Sequence, residues 1–124
     1  MVKNKIVDIV NKVYPKIIGW YGIGKKQYPS IEIHKNILVR LTGEPDAEGE
    51  PADAEYDRKE NKLFIYSDYN NSTEAVIRSI IHEYTHYLQS GLWMKILYDM
   101  GYSYDNHPYE IDAKLAEEDW KMFA

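Results

Sequence analysis

The 124-residue sequence predicts a single α+β domain over residues 1–124, with helices packed against a small, mostly antiparallel twisted sheet. Apolar residues recur at helical spacing in residues 2–14 and 72–90, alternate in residues 30–41, and form a short run in residues 62–66. A chain of this length can bury a hydrophobic core without crosslinks. It contains no cysteine, which rules out disulfides, thiolate metal sites and cysteine nucleophiles.

The N-terminal helix is predicted to cover one side of the core. Pro15 follows its apolar pattern, lacks the amide proton of the helical ladder and clashes with the preceding turn. We therefore expect the helix to kink or end there, with at most a brief continuation through Ile17 and Ile18. Gly19, Gly22 and Gly24 then predict a loop. The pattern itself consists of Ile6, Val7, Ile9, Val10, Val13 and Tyr14.

Residues 30–41 predict strand structure, at Ile31–Ile33 and Ile37–Leu41, because apolar and polar residues alternate there. The polar segment 34–36 is either a tight turn between two short strands or a polar interruption. Its histidine, His34, is expected to be exposed and to bind no metal. Lys62–Tyr66, with its short apolar run, predicts a further strand.

Residues 42–60 hold eight acids against two bases and almost no large apolar side chain. Such a composition cannot bury enough surface to order itself, which predicts a long mobile loop. An alternative is that the loop lies beside a cleft, where it repels acidic substrates or holds calcium. Regular spacing of oxygen ligands, as in known calcium loops, is absent from this segment.

Residues 72–90 predict the second long helix, with Ser72 or Thr73 as its N-cap and Gly91 just beyond its end. One side of this helix is apolar and is expected to pack on the core. The side chains on that face are Val76, Ile77, Ile80, Ile81, Tyr84 and Leu88.

The opposite side of this helix carries His82-Glu83-Tyr84-Thr85-His86, an HExxH motif. Side chains four residues apart share a helical face, so both histidines can direct a ring nitrogen at one cation, an arrangement that suits zinc. Glu83 lies about 100° around the helix from His82. From there it can reach a metal-bound water without displacing it, as a general base must.

A catalytic zinc site normally has three protein ligands and one water. After a short helix at residues 92–100, closed by Gly101, a last helix is predicted with Asn106 or His107 as its cap and Pro108 in its first turn. Glu110, near its start, is the predicted third ligand. Ala113 lies on the same side and would let the two helices approach closely.

Two other residues are alternatives for the third ligand. His107 precedes Glu110 by three positions, although as a helix cap it would not lie on the inner face. Asp112 would give a carboxylate site as well, but helical geometry turns it about 200° away from Glu110.

His82-Glu83-x-x-His86, followed by Glu110-x-x-Ala113 on a second helix, resembles the gluzincin metallopeptidases, and within them the minimal single-domain members of microbial and phage genomes. The resemblance covers residues 65–117. It implies a zincin-like fold with one zinc ion bound by His82, His86 and Glu110, and Glu83 as general base and acid in peptide-bond hydrolysis. Gln89 and Leu92 stand where the metzincin extension requires Gly and His, which excludes that class.

The same resemblance implies that an edge strand borders the cleft and pairs with an extended substrate. Lys62–Tyr66, or part of the acidic stretch, is the candidate for this strand. Larger gluzincins use a second domain to supply a His or Tyr that stabilises the oxyanion. In this chain Tyr102, Tyr104 and Tyr109 are the candidates, with no basis in the sequence for choosing among them.

The net charge is −5, but residues 1–41 hold eight Lys or Arg against two acids. We interpret these bases as the solvated side of a packed helix and expect no binding of nucleic acid or membrane. Neither a secretory signal nor a run of about 18 apolar residues is evident, so a soluble, cytoplasmic monomer is expected.

The predicted partner of the protein is a peptide or protein substrate, and the predicted function is zinc-dependent peptide hydrolysis. The alternative is a catalytically weak or inactive protein of zincin fold that binds a host or partner protein. The presence of Glu83 favours the enzyme, because a purely structural metal site needs ligands but no base.

Overall fold

The computed structural model describes all 124 residues and confirms an α+β fold, with five α-helices and one three-stranded sheet. Two 3-10 helices, Ser67–Tyr69 and Glu117–Met122, complete the regular structure. The elements in chain order are α1 (Lys3–Tyr21), β1 (Ser30–His34), α2 (Ile37–Thr42), β2 (Ala54–Asp57), β3 (Lys62–Tyr66), α3 (Thr73–Leu88), α4 (Gly91–Asp99) and α5 (Pro108–Ala116).

The sheet has the strand order β1-β3-β2 and is mixed, so the prediction of a mostly antiparallel sheet is wrong. β1 runs parallel to β3, with Ile33 opposite Ile65, and β2 runs antiparallel to it, with Ala54 opposite Ile65. β3 is therefore the central strand, and its run of buried apolar residues reflects burial on both faces. The free edge strand that borders the cleft is β2, which comes from the acidic stretch.

The hydrophobic core lies between α1, α3 and the sheet. Its members are fully or almost fully buried, and α3 contributes the face predicted from its sequence, except for Leu88, which is 37% exposed. The main residues of this cluster are Ile6, Val10, Val13 and Ile17 of α1, Ile33, Leu63 and Ile65 of the sheet, and Val76, Ile77, Ile80, Ile81 and Tyr84 of α3.

Helix α1 continues past Pro15 to Tyr21, so it does not end at the proline. Pro15 is exposed, so the backbone carbonyl that it leaves without a helical partner can be solvated. Ile17, in the next turn, is completely buried in the core. Burial of that turn compensates for the missing hydrogen bond.

The predicted strand at Ile37–Leu41 is also wrong, because Ile37–Thr42 forms α2. Asn36 caps this helix, since its side-chain oxygen accepts a hydrogen bond from the Val39 amide at 2.9 Å. Gly43, with a φ of 74°, ends it in the left-handed conformation. These capping interactions favour a helix more strongly than the alternation of apolar and polar residues, which extends over only five positions, favours a strand.

The acidic stretch 42–60 is not one long loop, because Ala54–Asp57 pairs with β3 as strand β2. The remainder is held by specific contacts. The buried Asn36 side chain donates to the Ala47 carbonyl at 2.7 Å, and Asn70 donates to the Asp53 carbonyl at 2.8 Å. Composition alone missed this strand because its pairing partner lies elsewhere in the chain.

The C-terminal helices follow the prediction closely. Ser72 caps α3 as expected, but α3 ends at Leu88, and Gly91 begins α4 instead of closing the preceding helix. His107 caps α5, with Pro108 as its first residue. None of the helices combines the length and the hydropathy that a bilayer crossing requires.

Candidate metal centre

Helix α3 is covered on both sides, and its two sides bury different kinds of side chain. One packs against the core, whereas the other presents His82, Glu83 and His86 to α5 and β2. His86 and Glu83 are only 6% and 9% exposed. The motif therefore lies in a sheltered cleft, where electrostatic interactions are stronger than on an open surface.

Helix α5 brings the third predicted ligand to this cleft. Ala113 is completely buried, which allows α5 to pack closely on α3, as predicted. Glu110 lies in the first turn of α5, where the helix dipole favours a carboxylate. His82, His86 and Glu110 then form one group whose ligand atoms all lie within 4.8 Å of one another.

Neither alternative third ligand belongs to this group. The Nδ1 atom of His107 accepts the Tyr109 amide proton at 3.1 Å, and Nε2 therefore carries the proton and donates to the Met94 carbonyl at 3.0 Å. Both nitrogens are thus engaged, Nδ1 in capping α5 and Nε2 in a hydrogen bond with α4. Asp112 is exposed on the outer side of α5. His34, at the end of β1, is half-buried rather than exposed; it interacts with Glu32 and lies outside the group.

Both imidazoles direct the same atom, Nε2, at Glu110. The distances are 3.1 Å from His82 to Oε2 and 2.9 Å from His86 to Oε1. A tetrahedral zinc ion with bonds of about 2.0–2.1 Å separates its ligand atoms by roughly 3.3–3.4 Å. The two distances to Glu110 are a few tenths of an ångström shorter than this separation, and all three ligand atoms lie within 4.8 Å of one another, so the group has the donors and the approximate spacing of a site for a small divalent cation.

Two further side chains fix the imidazole orientations, and sequence reasoning missed both. Nδ1 of His82 donates to Glu117 at 2.7 Å, and Nδ1 of His86 donates to the side-chain oxygen of Gln89 at 2.7 Å. Gln89 in turn donates to the Tyr109 carbonyl at 3.0 Å, which ties α3 to α5. With both Nδ1 atoms engaged, each Nε2 is directed at the site, where it can offer its lone pair to a metal ion once the proton it shares with Glu110 has been displaced.

A signal for these two residues was present in the sequence. Gln89 follows His86 by three residues, and Glu117 follows Glu110 by seven, so helical spacing places each on the same face as its neighbour. Gln89 was considered only as a departure from the metzincin pattern. Glu117 was included in the predicted helix without a role.

The electrostatics of the group favour a bound cation. Burial lowers the pKa of His82, but hydrogen bonds to Glu110 and Glu117 outweigh burial and raise it to about 10. For Glu110, burial raises the pKa, and hydrogen bonds to His82 and His86 outweigh that effect and lower it to about 2. The carboxylate is thus ionised at neutral pH, and a metal ion that binds the His82 lone pair must displace a proton from it.

Comparison of the chain with protein-family models, with curated proteins and with solved structures found no match in any of the three. Function must therefore be argued from the site itself.

Glu83 lies next to the three-residue group without being part of it. One of its carboxylate oxygens is 4.0 Å from Nε2 of His82. Burial raises the pKa of Glu83, and the two neighbouring imidazoles oppose this shift. A buried carboxyl with a raised pKa beside a cationic group is suited to exchanging protons near neutral pH.

The cleft has two walls and contains two cavities, of about 650 and 420 Å³. We call α3 and α5 the helical wall. We call residues 43–57 the strand wall, although only the last part of this segment lines the cleft. His82, Glu83 and Tyr104 line both cavities, which places them at the junction between the two. A ligand that lies along β2 would pass the candidate metal group at this junction.

Of the three tyrosines considered as oxyanion donors, Tyr104 is the one that lines both cavities. Tyr104 is 63% exposed, and its hydroxyl is close enough to Glu110 to be affected by the charge of that carboxylate. Burial of the hydroxyl and the Glu110 charge raise the pKa of Tyr104 to about 12, which keeps the hydroxyl protonated at neutral pH. It can therefore act as a hydrogen-bond donor in the cleft.

Proposed function

We propose that this protein is a zinc-dependent metallopeptidase of the gluzincin type. The observation that carries the proposal is the convergence of His82, His86 and Glu110 in a sheltered cleft, with Glu83 beside them. A structural metal site needs the first three residues but has no use for an adjacent buried carboxyl. Because the cleft is open along β2, a polypeptide has access to this carboxyl.

Zinc is the proposed ion because of the chemistry of the donors. Two imidazole nitrogens and one carboxylate oxygen form one of the ligand sets of catalytic zinc, and they leave a fourth position free. The hard cations calcium and magnesium prefer sets made of oxygen ligands alone. When bound, zinc supplies a water of lowered pKa, near 7, and polarises a carbonyl group.

Glu83 is the proposed general base and acid. Its carboxylate accepts a proton from the attacking water and then delivers the proton to the amine leaving group. Burial supports this role because it raises the pKa of Glu83 from the usual range towards neutrality. Tyr104 is the proposed donor to the oxygen that gains negative charge when the peptide carbonyl is attacked.

Strand β2 is the proposed template for the substrate backbone. One of its edges pairs with β3, which leaves the other edge available to an extended peptide. The Tyr56 amide of β2 acts on the Glu83 carboxylate, so the free edge faces the proposed base. A peptide added there would present a carbonyl next to the metal group.

The test of the proposal combines zinc stoichiometry with cleavage of a peptide library. Wild-type protein purified without chelator is expected to contain one zinc per chain and to cleave peptides. Glu83→Gln is expected to retain its zinc and to lose about 10²–10⁴-fold in cleavage rate, because the ligands remain while the base is removed. Zinc is measured by mass spectrometry, and cleavage by chromatography of the library.

Glu60→Gln is the matched control, because Glu60 lies in the turn between β2 and β3, outside both cavities. It should match wild type in both measurements. Cleavage by Glu83→Gln at the wild-type rate would refute the mechanism. A wild-type protein that binds zinc but cleaves no member of the library would favour the alternative of an inactive binding protein.

A further inference from the structure

The larger cavity extends from the candidate metal group along the N-terminal half of α3. Five charged side chains, besides His82 and Glu83, line it. They come from four parts of the fold, so both walls of the cleft line the cavity. They are Asp53 of the strand wall, Glu74 and Arg78 of α3, Lys114 of α5, and Glu117 of the following 3-10 helix.

Most of these charges are neutralised within the protein. Arg78 contacts Glu74 at 2.9 Å and lies 3.9 Å from Glu117. Glu117 also accepts the 2.7 Å hydrogen bond from His82. The carboxylate of Asp53, in contrast, has no ion pair and no hydrogen bond with any side chain of the protein.

The position of Asp53 is fixed although it precedes the first residue of β2. Its carbonyl accepts two hydrogen bonds, one at 3.0 Å from the Tyr66 amide and one at 2.8 Å from the Asn70 side chain. Asn70 is completely buried and also accepts a hydrogen bond from Ser79 of α3. The backbone of Asp53 is therefore anchored to both β3 and α3, which holds its side chain at the cavity.

The surroundings of Asp53 add negative charge. Residues 41–57 contain seven acids and no Lys or Arg, and the end of this segment lines the cleft. Burial and the nearby Glu117 raise the pKa of Asp53, and the charge of His82 opposes this shift, as a bound cation would. Lys114 is a second unpaired charge of the cavity, on the opposite side from β2, and it is exposed.

We infer that the cleft selects peptides with a positively charged group, which occupies the larger cavity and forms an ion pair with Asp53. The group is an ammonium or guanidinium ion, supplied either by a lysine or arginine side chain or by a free peptide amino terminus. This inference rests on the proposed peptidase function, since it names the substrate class of the same cleft. It assigns Asp53 as a specificity-determining residue that takes no part in the chemistry.

The test measures binding rather than turnover, so that its outcome is independent of hydrolysis. Zinc-loaded Glu83→Gln protein is titrated calorimetrically with acetylated, amidated alanine peptides that carry one lysine, scanned along the sequence. Counterparts carry norleucine or glutamate in place of lysine, and one further alanine peptide has a free amino terminus. The lysine and free-terminus arms distinguish the two sources of the charge.

We expect the best lysine peptide, or the free-terminus peptide, to bind about fivefold more tightly than its neutral counterpart, because an exposed ion pair contributes at most about a factor of five. Adding Asp53→Asn should remove this preference. Glu50→Gln is the matched control, because it removes one charge from the same acidic segment but lies outside both cavities. It should retain the preference.

Equal binding of charged and neutral peptides, no binding of any peptide, or a preference for glutamate would overturn the inference, and the last would point to Lys114. If Asp53→Asn and Glu50→Gln reduced the preference for charged peptides equally, the assignment of Asp53 would also be overturned. The preference would then come from the summed negative charge of the acidic segment and not from one residue. Failure of the proposed peptidase function is seen separately, as zinc-loaded wild type that cleaves none of these peptides.

Discussion

The helical wall and the strand wall of the cleft differ in how their charged side chains are paired. On the helical wall, the imidazoles of His82 and His86 each have a partner on both ring nitrogens. On the strand wall, four exposed acids between residues 44 and 50, together with Asp53, form no ion pair. The first pattern suits a small ion held in fixed geometry, and the second suits a ligand that varies from one molecule to the next.

Two contacts hold these walls in register. Arg58, in the turn after β2, donates to the His86 carbonyl at 2.8 Å and to the Gln89 carbonyl at 3.0 Å. Gly91 leaves room for this side chain, since a Cβ there would lie 2.5 Å from it and Arg58 would have to move. Asn70 forms the second contact, because it joins the Asp53 carbonyl to Ser79 in the middle of α3. The strand wall is thus anchored at two points along the helix that carries the motif.

The largest effect is expected from removing Glu110, the α5 residue that contacts the imidazoles of His82 and His86. Glu110→Ala should weaken zinc binding by more than about a hundredfold, because loss of a direct ligand should exceed the 10–100-fold typical of outer partners. Competition with a chromophoric chelator measures the dissociation constant. Asp112→Ala removes a carboxylate from the exposed side of the same helix and should leave zinc affinity within about threefold of wild type.

Equal zinc affinity in Glu110→Ala and wild type would refute the assigned ligand set. His107 would then have to leave its two hydrogen bonds and become a ligand, which predicts weaker zinc binding by His107→Ala in the Glu110→Ala background.

A smaller effect is expected from Glu117, which contacts His82 but not the ion. Glu117→Ala should weaken zinc binding about 10–100-fold, because the His82 ring loses the partner that fixes its orientation. Glu117→Gln keeps an oxygen that can accept the Nδ1 proton and should recover most of this affinity. A residue needed only for folding would lower the free energy of unfolding in both variants without separating their zinc affinities.

The same two walls show which features could be predicted from the sequence. The helical wall was predicted well because helical periodicity relates residues that are close in the chain. Spacing of four placed His82 and His86 on one face, and the cap before Pro108 placed Glu110 at a helix start. The closeness of Glu110 to both histidines required only that two adjacent helices pack together, which Ala113 allows.

The strand wall was predicted poorly because its structure depends on strand pairing rather than on the composition of its own residues. β2 exists because β3 offers it an unpaired edge, and its own residues, Ala54 to Asp57, include no branched aliphatic side chain. β3 was predicted as a strand, but its central position follows from pairing with β1, which lies about thirty residues earlier. The parallel direction of β1 and β3 also could not be inferred from the sequence, because the alternation of apolar and polar residues is the same in parallel and antiparallel strands.

The smallest effect is expected from substitution of Asn36. This substitution also tests whether the two walls are independent of each other. Its side chain caps α2 and also holds the acidic segment through the Ala47 carbonyl. Asn36→Ala should lower the free energy of unfolding by about 1–2 kcal/mol, the usual cost of a lost N-cap. Urea denaturation of the zinc-free protein measures this change. Asn36→Asp keeps the capping oxygen and loses only the bond to Ala47, so its loss should be smaller.

Zinc affinity is measured in the same Asn36 variants, to find out whether it falls together with stability. Asn36 contacts only the strand wall and α2, whereas the zinc ligands are fixed by Gln89, Glu117 and the packing of α5. We therefore expect the Asn36→Ala protein to be less stable but to bind zinc within about threefold of wild type. A parallel loss of zinc affinity would mean that loosening the strand wall is transmitted through Arg58 to His86. The ligand geometry would then depend on both walls together.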